Sequence, residues 1–431
     1  MNRNIIGAII VSLVIIGTSF FVLTADLENN SNDETIPSKN NNLPALGNIT
    51  SFDEAVNAFA FNLYRELCND PENTDNLFTS PYSIFTALAM TYEGAEGLTA
   101  EEMASVLNIE QDNESFHQYM QTLYEYLNEN SEYNISTANA LWPRINYNLL
   151  PEYIEIIETY YGGNSTPVDY SNPEQAAGII NSWVENQTNN LIKNLVPPDE
   201  INPVLTMLIL TNAIYFKGTW EVQFDEDNTT DRNFTTSFGE SIDVPTMQLV
   251  NTEDCFNYTE TEDLQVLELP YNGNEISMMI LLPKNDADLS EIINSIDKDS
   301  YAEWVDSMTQ KEVDIYLPKF KIKTPLYTLN DYLTNLGMPT AFGPGADFSG
   351  LDGTWELYIS KVLHKAFIEV NEEGTEAAAA TAVIMNKRGG DAGPRIAFDC
   401  NHPFLFTIHH KETNTILFMG NINNPCEEKV S

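Results

Sequence analysis

The sequence predicts an α+β fold with mixed or antiparallel β-sheets, and three observations support this prediction. Segments with helical periodicity dominate the chain from Ser51 to about Leu195, and strand-like segments dominate from about Val204 onward. Hairpin signals such as Tyr271-Asn-Gly-Asn separate some of the strands. No internal repeat or linker interrupts the pattern, so we expect one folded domain over residues 49–425.

The helical segments show either apolar periodicity or a start signal. Apolar residues of Phe52–Leu67 recur at spacings of three and four, which is typical of an amphipathic helix. Ser80 and Pro81 open a second helix, because serine is a favoured N-cap and proline a favoured first helical residue. Two further helices are predicted over Glu152–Tyr161 and Glu174–Leu195.

Apolar runs bounded by turn residues predict the strands of the second half. In chain order these runs are VLTMLILTNAIYF, VLELPY, ISMMILLP, VDIYLPKF, PFLFTIHH and ILFMGNI.

The charge balance is strongly acidic. The 431 residues include 20 Lys+Arg and 64 Asp+Glu, which gives a formal net charge of −44. Such a field repels phosphate backbones, so we expect no nucleic-acid partner. The acidic residues are spread along the chain, which indicates a solvated surface.

The N-terminal region predicts export. Ile5–Leu23 is uncharged and apolar and follows Arg3; its 19 residues would span about 28 Å as a helix, close to a bilayer's hydrocarbon core. Residues 1–25 are therefore either a signal peptide or a membrane anchor, and both place the rest of the protein outside the cell. Residues 26–48, rich in Asn and Asp, are predicted to be a flexible linker, and residues 426–431 a C-terminal tail.

No motif indicates an enzyme, a metal site or a cofactor. The sequence lacks a GxSxG elbow, an HExxH helix and a phosphate-binding loop. His409 and His410 are adjacent on a predicted strand, so their side chains point to opposite faces and chelate poorly. We therefore predict no catalytic residue, no metal and no cofactor. The four cysteines show no CxxC pairing, and their spacing leaves any disulfide undetermined.

The segment Asn371–Gly390, NEEGTEAAAATAVIMNKRGG, joins four alanines to a dibasic Lys-Arg. The run EVNEEGTEAAAATAV within and before it resembles the hinge of the inhibitory serpins. Further serpin-like segments occur in the order of that family: SPYS, MTYEGAEGLTAEEM, TNAIYFKGTW, LPKFKI, GADFSGL, LHKAFIEVNEEG, FDCNHPFLFTI and FMGNINNP. The resemblance covers Ser51–Pro425. It implies N-terminal helices packed on large mixed sheets, an exposed reactive-centre loop, and a monomer that inhibits a serine protease.

In serpins a protease cuts the exposed loop, which then inserts into the main sheet as a new strand. The residues of this chain allow such an insertion. Period two puts Thr375, Ala377, Ala379 and Thr381 on one face, which carries no charge, and no proline follows Gly374 before Gly393. The predicted hinge comprises Glu372, Gly374, Thr375, Glu376, Ala377, Ala378, Ala379, Ala380 and Thr381.

The resemblance also implies where the loop is cut. The scissile bond in the family usually follows the fourteenth residue after the hinge glycine, which here gives Arg388–Gly389, within one or two residues. Arg388 suits a trypsin-like pocket with a carboxylate at its base, and the preceding Lys387 also admits a dibasic-specific, subtilisin-like protease.

Other residues match family positions that control conformation and do not catalyse. Ser80, Ser83, Asn212 and His364 match the shutter, where the main sheet opens. Trp220 matches the breach at the top of that sheet, where Glu372 is expected to pair with Lys319. The main hypothesis is a suicide-substrate inhibitor of an arginine-specific serine protease. The alternative is a non-inhibitory serpin that acts as a binding, carrier or storage protein.

Overall fold

The computed structural model of the chain describes residues 50–109, 113–128, 133–284, 287–375 and 395–426. Its α-helices in these ranges are α1 Thr50–Cys68, α2 Pro81–Tyr92, α3 Gly97–Leu107, α4 Asn113–Asn128, α5 Pro151–Tyr161, α6 Pro173–Gln187, α7 Leu289–Ser295, α8 Lys298–Ser307, α9 Asn330–Leu336 and α10 Ser349–Asp352. The strands are β1 Leu77–Thr79, β2 Tyr133–Pro143, β3 Asn164–Ser165, β4 Leu208–Thr219, β5 Thr230–Thr235, β6 Ser241–Leu249, β7 Phe256–Glu260, β8 Leu264–Pro270, β9 Ile276–Pro283, β10 Thr309–Lys311, β11 Val313–Pro318, β12 Phe320–Lys323, β13 Tyr327–Thr328, β14 Ile359–Val370, β15 Gly374–Thr375, β16 Ile396–Asp399, β17 Phe404–His410 and β18 Thr415–Ile422.

These strands form three sheets, which confirms the predicted α+β class. The main sheet has the order β12-β14-β15-β4-β2-β3, and β13 also pairs with β14. The rear sheet has the order β1-β18-β17-β9-β8-β7-β10, and the small sheet the order β16-β11-β6-β5. Most neighbouring strands are antiparallel, but β14 runs parallel to β4.

The main sheet is covered on both faces, and β4 shows this most clearly. Its Leu210, Ile214 and Phe216 belong to the large apolar core between the main and rear sheets. Its Ile209 and Ala213 belong to a smaller core that also contains residues of α6. A strand buried on both faces has a nearly continuous apolar sequence, as β4 does.

Local signals placed several elements correctly. The Ser80 side chain accepts a hydrogen bond from the Ser83 N–H at the start of α2, and Pro81 occupies the first turn. The predicted helix after Glu174 is shorter than expected, because α6 ends at Gln187. Asn189, Asn190 and Asn194 follow it with positive φ angles, a conformation that asparagine tolerates better than most residues but that ends a helix.

The main error of the sequence prediction is β2, which lies in the half assigned to helices. Its sequence YNISTANALWP contains alanine and asparagine, residues of low strand propensity. All eleven residues nevertheless pair with β4, from Tyr133 opposite Gly218 to Pro143 opposite Leu208. Pairing with a buried neighbour therefore outweighs local preference here.

The four cysteines are free thiols. Burial raises the pKa of Cys68 to about 12 and that of Cys400 well above its usual range. No helix in the described ranges is both long and apolar enough to cross a bilayer. The predicted export segment and linker, residues 1–25 and 26–48, lie outside the described residues, as do residues 427–431 of the tail.

Candidate functional site

The main sheet is closed at one end and open at the other. At the closed end β14 pairs directly with β4, from Ile359 opposite Leu208 to Ala366 opposite Ile214. At the open end β15 lies between the same two strands. Thr375 pairs with Val370 of β14 and with Gly218 of β4, and β15 is antiparallel to both. The first residues of the predicted loop thus already occupy the gap.

Gly374 is required by its surroundings. Its φ angle is +154°, and a Cβ atom at this position would lie 2.1 Å from the carbonyl oxygen of Gly218. Only glycine has neither the strain nor the clash. Asn371 closes the turn before it, since its side-chain oxygen accepts hydrogen bonds from the N–H groups of Glu373 at 3.0 Å and Gly374 at 3.2 Å.

Trp220 holds the loop at the open end of the sheet. Its indole N–H donates to the carbonyl oxygen of Asn371 at 3.0 Å, and its backbone N–H donates to that of Glu373 at 2.9 Å. Its ring stacks on Tyr271 with centroids 4.4 Å apart. The Tyr271 hydroxyl shares a 2.6 Å hydrogen bond with the hydroxyl of buried Thr375. The sequence identified Tyr271 only as a turn residue.

Glu372 and Lys319 form the expected ion pair, with Oε2 and Nζ 2.7 Å apart. The Glu372 side chain is 5% exposed and the Lys319 side chain 40%. Thr229 donates its hydroxyl to the other carboxylate oxygen at 2.7 Å. Burial by itself raises the pKa of Glu372, but the hydrogen bonds from Lys319 and Thr229 outweigh it, so the net pKa is lowered. Glu372 is therefore a carboxylate at neutral pH.

The four predicted shutter residues meet at the closed end, together with Asn139 of β2. The Asn212 amide donates to the Ser83 hydroxyl at 2.6 Å and to the Asn139 side-chain oxygen at 2.8 Å. Ser83 donates to that same oxygen at 2.7 Å. Ser80, Ser83, Asn212 and His364 are fully buried. Asn139 could not be found from the sequence, because β2 was not recognised as a strand.

The hydrogen bonds of His364 require a neutral ring. Its Nε2 lies 3.2 Å from the backbone N–H of Ser80, so this nitrogen is an acceptor. The proton is consequently on Nδ1, which donates to the side-chain oxygen of Asn212 at 2.5 Å. Burial lowers the pKa of His364 to about 3. A proton added at Nε2 would face the Ser80 N–H and remove that hydrogen bond.

The far end of the loop is anchored by Arg395, which sequence reasoning missed. Its guanidinium donates to Asp314 at 2.8 Å, to Glu312 at 2.5 Å and to the carbonyl oxygen of Thr252 at 2.9 Å. Since β16 begins at the next residue, these bonds fix the start of that strand to β11.

An ion pair of 2.7 Å between Asp399 and Arg232 fixes the end of β16. Residues 376–394 thus connect two anchored points, Thr375 and Arg395. The remaining predicted hinge residues, Glu376, Ala377, Ala378, Ala379, Ala380 and Thr381, lie outside the described residues, as does the predicted bond Arg388–Gly389.

The adjacent histidines of β17 have separate partners. His409 and His410 are both buried, and they contact different groups: Glu268 at 3.4 Å and Thr413 at 2.9 Å, respectively. No cluster of potential metal ligands occurs among the described residues.

Comparisons with known proteins agree with this geometry. A family model described as "Serpin (serine protease inhibitor)" matches residues 54–425. A serpin-like protein of Methanosarcina acetivorans is 41% identical over 381 residues, 88% of this chain and 87% of that protein. Serpin48 of the insect Tenebrio molitor has a TM-score of 0.78 at 36% identity, over 86% of this chain and 98% of that one. Human thyroxine-binding globulin has a TM-score of 0.78 at 28% identity, over 88% and 100%.

The neutral state of His364 predicts a pH dependence. The folded pKa of about 3 lies below the ordinary value of 6.5, so the unfolded chain binds the proton first as the pH falls. The neutral His364 ring therefore makes its full contribution to the free energy of unfolding above pH 6.5. This contribution is lost progressively as the pH falls from 6.5 to 3. Between pH 7 and pH 5 the uncut wild type should lose roughly 2 kcal/mol more free energy of unfolding than His364→Gln. Urea unfolding at both pH values measures this; equal losses in the two proteins would contradict the assignment.

The ion pair at the open end predicts a difference between two lysines. Lys319→Met leaves the buried Glu372 carboxylate without its cation and should lower the free energy of unfolding by about 1–2 kcal/mol. The control is Lys321→Met, because Lys321 and Glu369 are both well exposed, at 43% and 38%. The control should change stability by less than about 0.5 kcal/mol. Urea unfolding of both variants at pH 7 tests the difference, and equal effects would show that burial of Glu372 is unimportant.

Proposed function

This chain belongs to the serpin family, and we propose that it is an irreversible, single-use inhibitor of an arginine-specific serine protease. Serpins are generally protease inhibitors. The single observation that carries the proposal is the position of β15. Its two residues already pair with β14 and β4 at the open end of the main sheet, in the orientation that a longer inserted strand would have.

The existing register can be extended without a shift. Each further residue of the loop would pair with the preceding residue of β14 and of β4, because β15 is antiparallel to both. Six residues beyond Thr375 is Thr381; six residues before Val370 is His364, and six before Gly218 is Asn212. His364 and Asn212 are opposite each other in the present β14–β4 pairing. Thr381 would therefore enter between them and replace their mutual hydrogen bond.

The side chains of the loop suit the two faces they would meet. Thr375 points toward the large core, where it contacts Tyr271. By strand alternation Ala377, Ala379 and Thr381 follow on the same side, and all are small and uncharged. Glu376 would lie on the other side, between Lys217 and Glu369, which are both only partly buried. Its charge would remain accessible to water.

The free energy that insertion would release is comparable to the stability of an ordinary domain. Insertion breaks the direct β14–β4 pairing but creates two antiparallel pairings in its place. A net gain on the order of ten backbone hydrogen bonds, at about 1 kcal/mol each, rivals the roughly 5–15 kcal/mol that stabilises an ordinary domain. The uncut chain is anchored at Thr375 and Arg395, so full insertion requires the cut.

Cleavage would begin as in ordinary proteolysis. The serine oxygen of the protease attacks the carbonyl carbon of Arg388, and the Gly389 nitrogen leaves as an amine with the proton that the protease took from its serine. An ester then links Arg388 to the protease. Insertion of the freed loop moves this ester away before water hydrolyses it. Arg388 suits a protease with a carboxylate in its specificity pocket, and Lys387-Arg388 also suits a dibasic-specific one.

A non-inhibitory binding function is the second candidate. The structural likeness to human thyroxine-binding globulin, a protein named for its ligand, favours it. The partly inserted β15 and the small side chains of the predicted hinge favour the inhibitor instead.

We also propose that the protein is exported, on the basis of the apolar segment Ile5–Leu23. When the full chain is expressed and the cells are fractionated, the protein should be found in the medium or on the outer face of the cell membrane. Protein found wholly inside intact cells would contradict this proposal. N-terminal sequencing would show whether the segment is removed.

The proposed mechanism implies a covalent adduct with trypsin. Wild-type protein mixed with trypsin should give a band on a denaturing gel that combines both masses and resists heat and detergent. The double variant Lys387→Ala/Arg388→Ala should abolish this band, because trypsin cuts after either basic residue. The matched control Lys387→Ala should retain it, because Arg388 still donates the scissile carbonyl. Clean cleavage of the wild type with fully active trypsin remaining would refute inhibition.

Insertion of the cut loop should stabilise the protein. Nicking at the reactive bond should raise the melting temperature by roughly 20 °C, if about 10 kcal/mol is gained at about 2 °C per kcal/mol. Thr381→Arg should abolish both this rise and the adduct, because the arginine would enter between His364 and Asn212. Glu376→Arg is the control, since position 376 falls on the partly exposed side. Calorimetry before and after nicking measures the change in melting temperature. An undiminished rise in the melting temperature of Thr381→Arg would show that the predicted insertion face is wrong.

A further inference from the structure

A cavity of about 480 Å³ lies beside the rear sheet. It is formed where the end of α1, helix α7, the segment before β17, the end of β18 and the turn between β5 and β6 meet. In that order these elements contribute Cys68, Ile293, Pro403, Asn421 and Ser237 to its lining. None of its described lining residues belongs to the main sheet. Cavities of this size commonly hold small molecules, and we call this one the rear cavity.

The rear cavity contains a buried hydrogen-bond donor. Asn421 lines the cavity and is only 4% exposed. The Tyr64 hydroxyl donates to the side-chain oxygen of Asn421 at 2.7 Å, so the amide oxygen is already used. The amide nitrogen of Asn421 donates to no described residue. A buried N–H group without an acceptor is costly, so this nitrogen marks a place for the acceptor atom of a ligand.

Two half-buried asparagines add hydrogen-bond acceptors to the rear cavity. The Asn73 amide nitrogen donates to the carbonyl oxygen of Leu67 at 3.0 Å. The Asn423 amide nitrogen donates to the carbonyl oxygen of Thr74 at 3.2 Å. With both nitrogens used, the side-chain oxygens of Asn73 and Asn423 are left to accept hydrogen bonds. Because both residues are more exposed than Asn421, a matching ligand carries its O–H groups at its outer end.

The remaining lining of the rear cavity favours a neutral ligand with a small apolar group. Leu289, Ile293 and Pro403 supply apolar surface. Asp288 is the only carboxylate among the described lining residues, and none of these residues is Lys or Arg. The Asp288 carboxylate already accepts a hydrogen bond from the Ser290 N–H at 2.8 Å, at the start of α7. The net charge of −44 repels anions, and no basic side chain in the described lining offsets it.

We propose that the rear cavity binds an N-acetylated amino sugar. The acetamido carbonyl oxygen accepts the hydrogen bond that the Asn421 nitrogen offers, and the acetyl methyl group contacts the apolar wall at Ile293. The sugar hydroxyls donate to the side-chain oxygens of Asn73 and Asn423. A plain sugar lacks the carbonyl group, and a simple amide lacks the hydroxyls. This inference goes beyond protease inhibition and does not depend on it, since the cavity shares no described residue with the main sheet.

The test titrates the full chain with N-acetylglucosamine and follows binding by saturation-transfer NMR. Glucose, which lacks the acetamido group, should bind at least about tenfold more weakly, because it leaves the buried donor unpaired. Asn421→Leu removes the donor at nearly constant size and should weaken binding of N-acetylglucosamine at least about tenfold. The matched control is Asn57→Leu, which should bind like the wild type. Asn57 is also 4% exposed and bonds α1 to β18 through the Ile416 N–H, but it does not line the cavity.

A second variant keeps the test decisive if Asn421→Leu does not fold. Ser237 is exposed and lines the rear cavity, so Ser237→Trp should obstruct the cavity and weaken binding without disturbing the core. Absence of binding to the wild type, or equal binding of glucose, overturns the proposed ligand class. Wild-type affinity in folded Asn421→Leu or in Ser237→Trp overturns the rear cavity as the site. None of these outcomes depends on whether the protein forms an adduct with trypsin.

Discussion

The pairing of β14 with β4 is the interaction on which the rest of the structure depends. These two strands are hydrogen-bonded at the closed end and held apart by Gly374 and Thr375 at the open end. A sheet normally gains free energy from every strand it can pair, so a gap between two central strands is a site where more chain can be added. The apolar cores on both faces of β4 hold this strand in position beside the gap.

The polar cluster at the closed end is compatible with the opening of the sheet that we propose. Ser80, Ser83, Asn139, Asn212 and His364 satisfy one another inside an apolar core, where unpaired polar groups are costly. An apolar contact at the same place would offer an entering strand no hydrogen bonds to take over. In the insertion that we propose, the hydroxyl of Thr381 would take over the bonds that His364 and Asn212 now make to each other.

The two ends of the main sheet have different roles in this interpretation. At the open end, Trp220, Tyr271, Glu372 and Lys319 hold the first residues of the loop in position. At the closed end, the polar cluster around His364 and Asn212 lies where β14 and β4 pair directly. Arg395 anchors the other side of the loop through three hydrogen bonds, so the uncut chain is held at two points. A cut between these two anchoring points would free the loop from the Arg395 side.

The sequence by itself determined the features that depend on local chemistry: the start of α2 at Ser80-Pro81, the apolar strand β9, and a run of small residues without proline after Gly374. Serpin-like segments also located Trp220, His364 and the pair Glu372–Lys319. Only the tertiary structure decided that YNISTANALWP is a strand, that Asn139 joins His364, and that Tyr271 meets Thr375. It also decided that Arg395 anchors β16 and that Val204 and Leu205 are exposed and not part of β4. These features depend on partners far away in the chain, and burial against such partners outweighs the local propensity that a sequence displays.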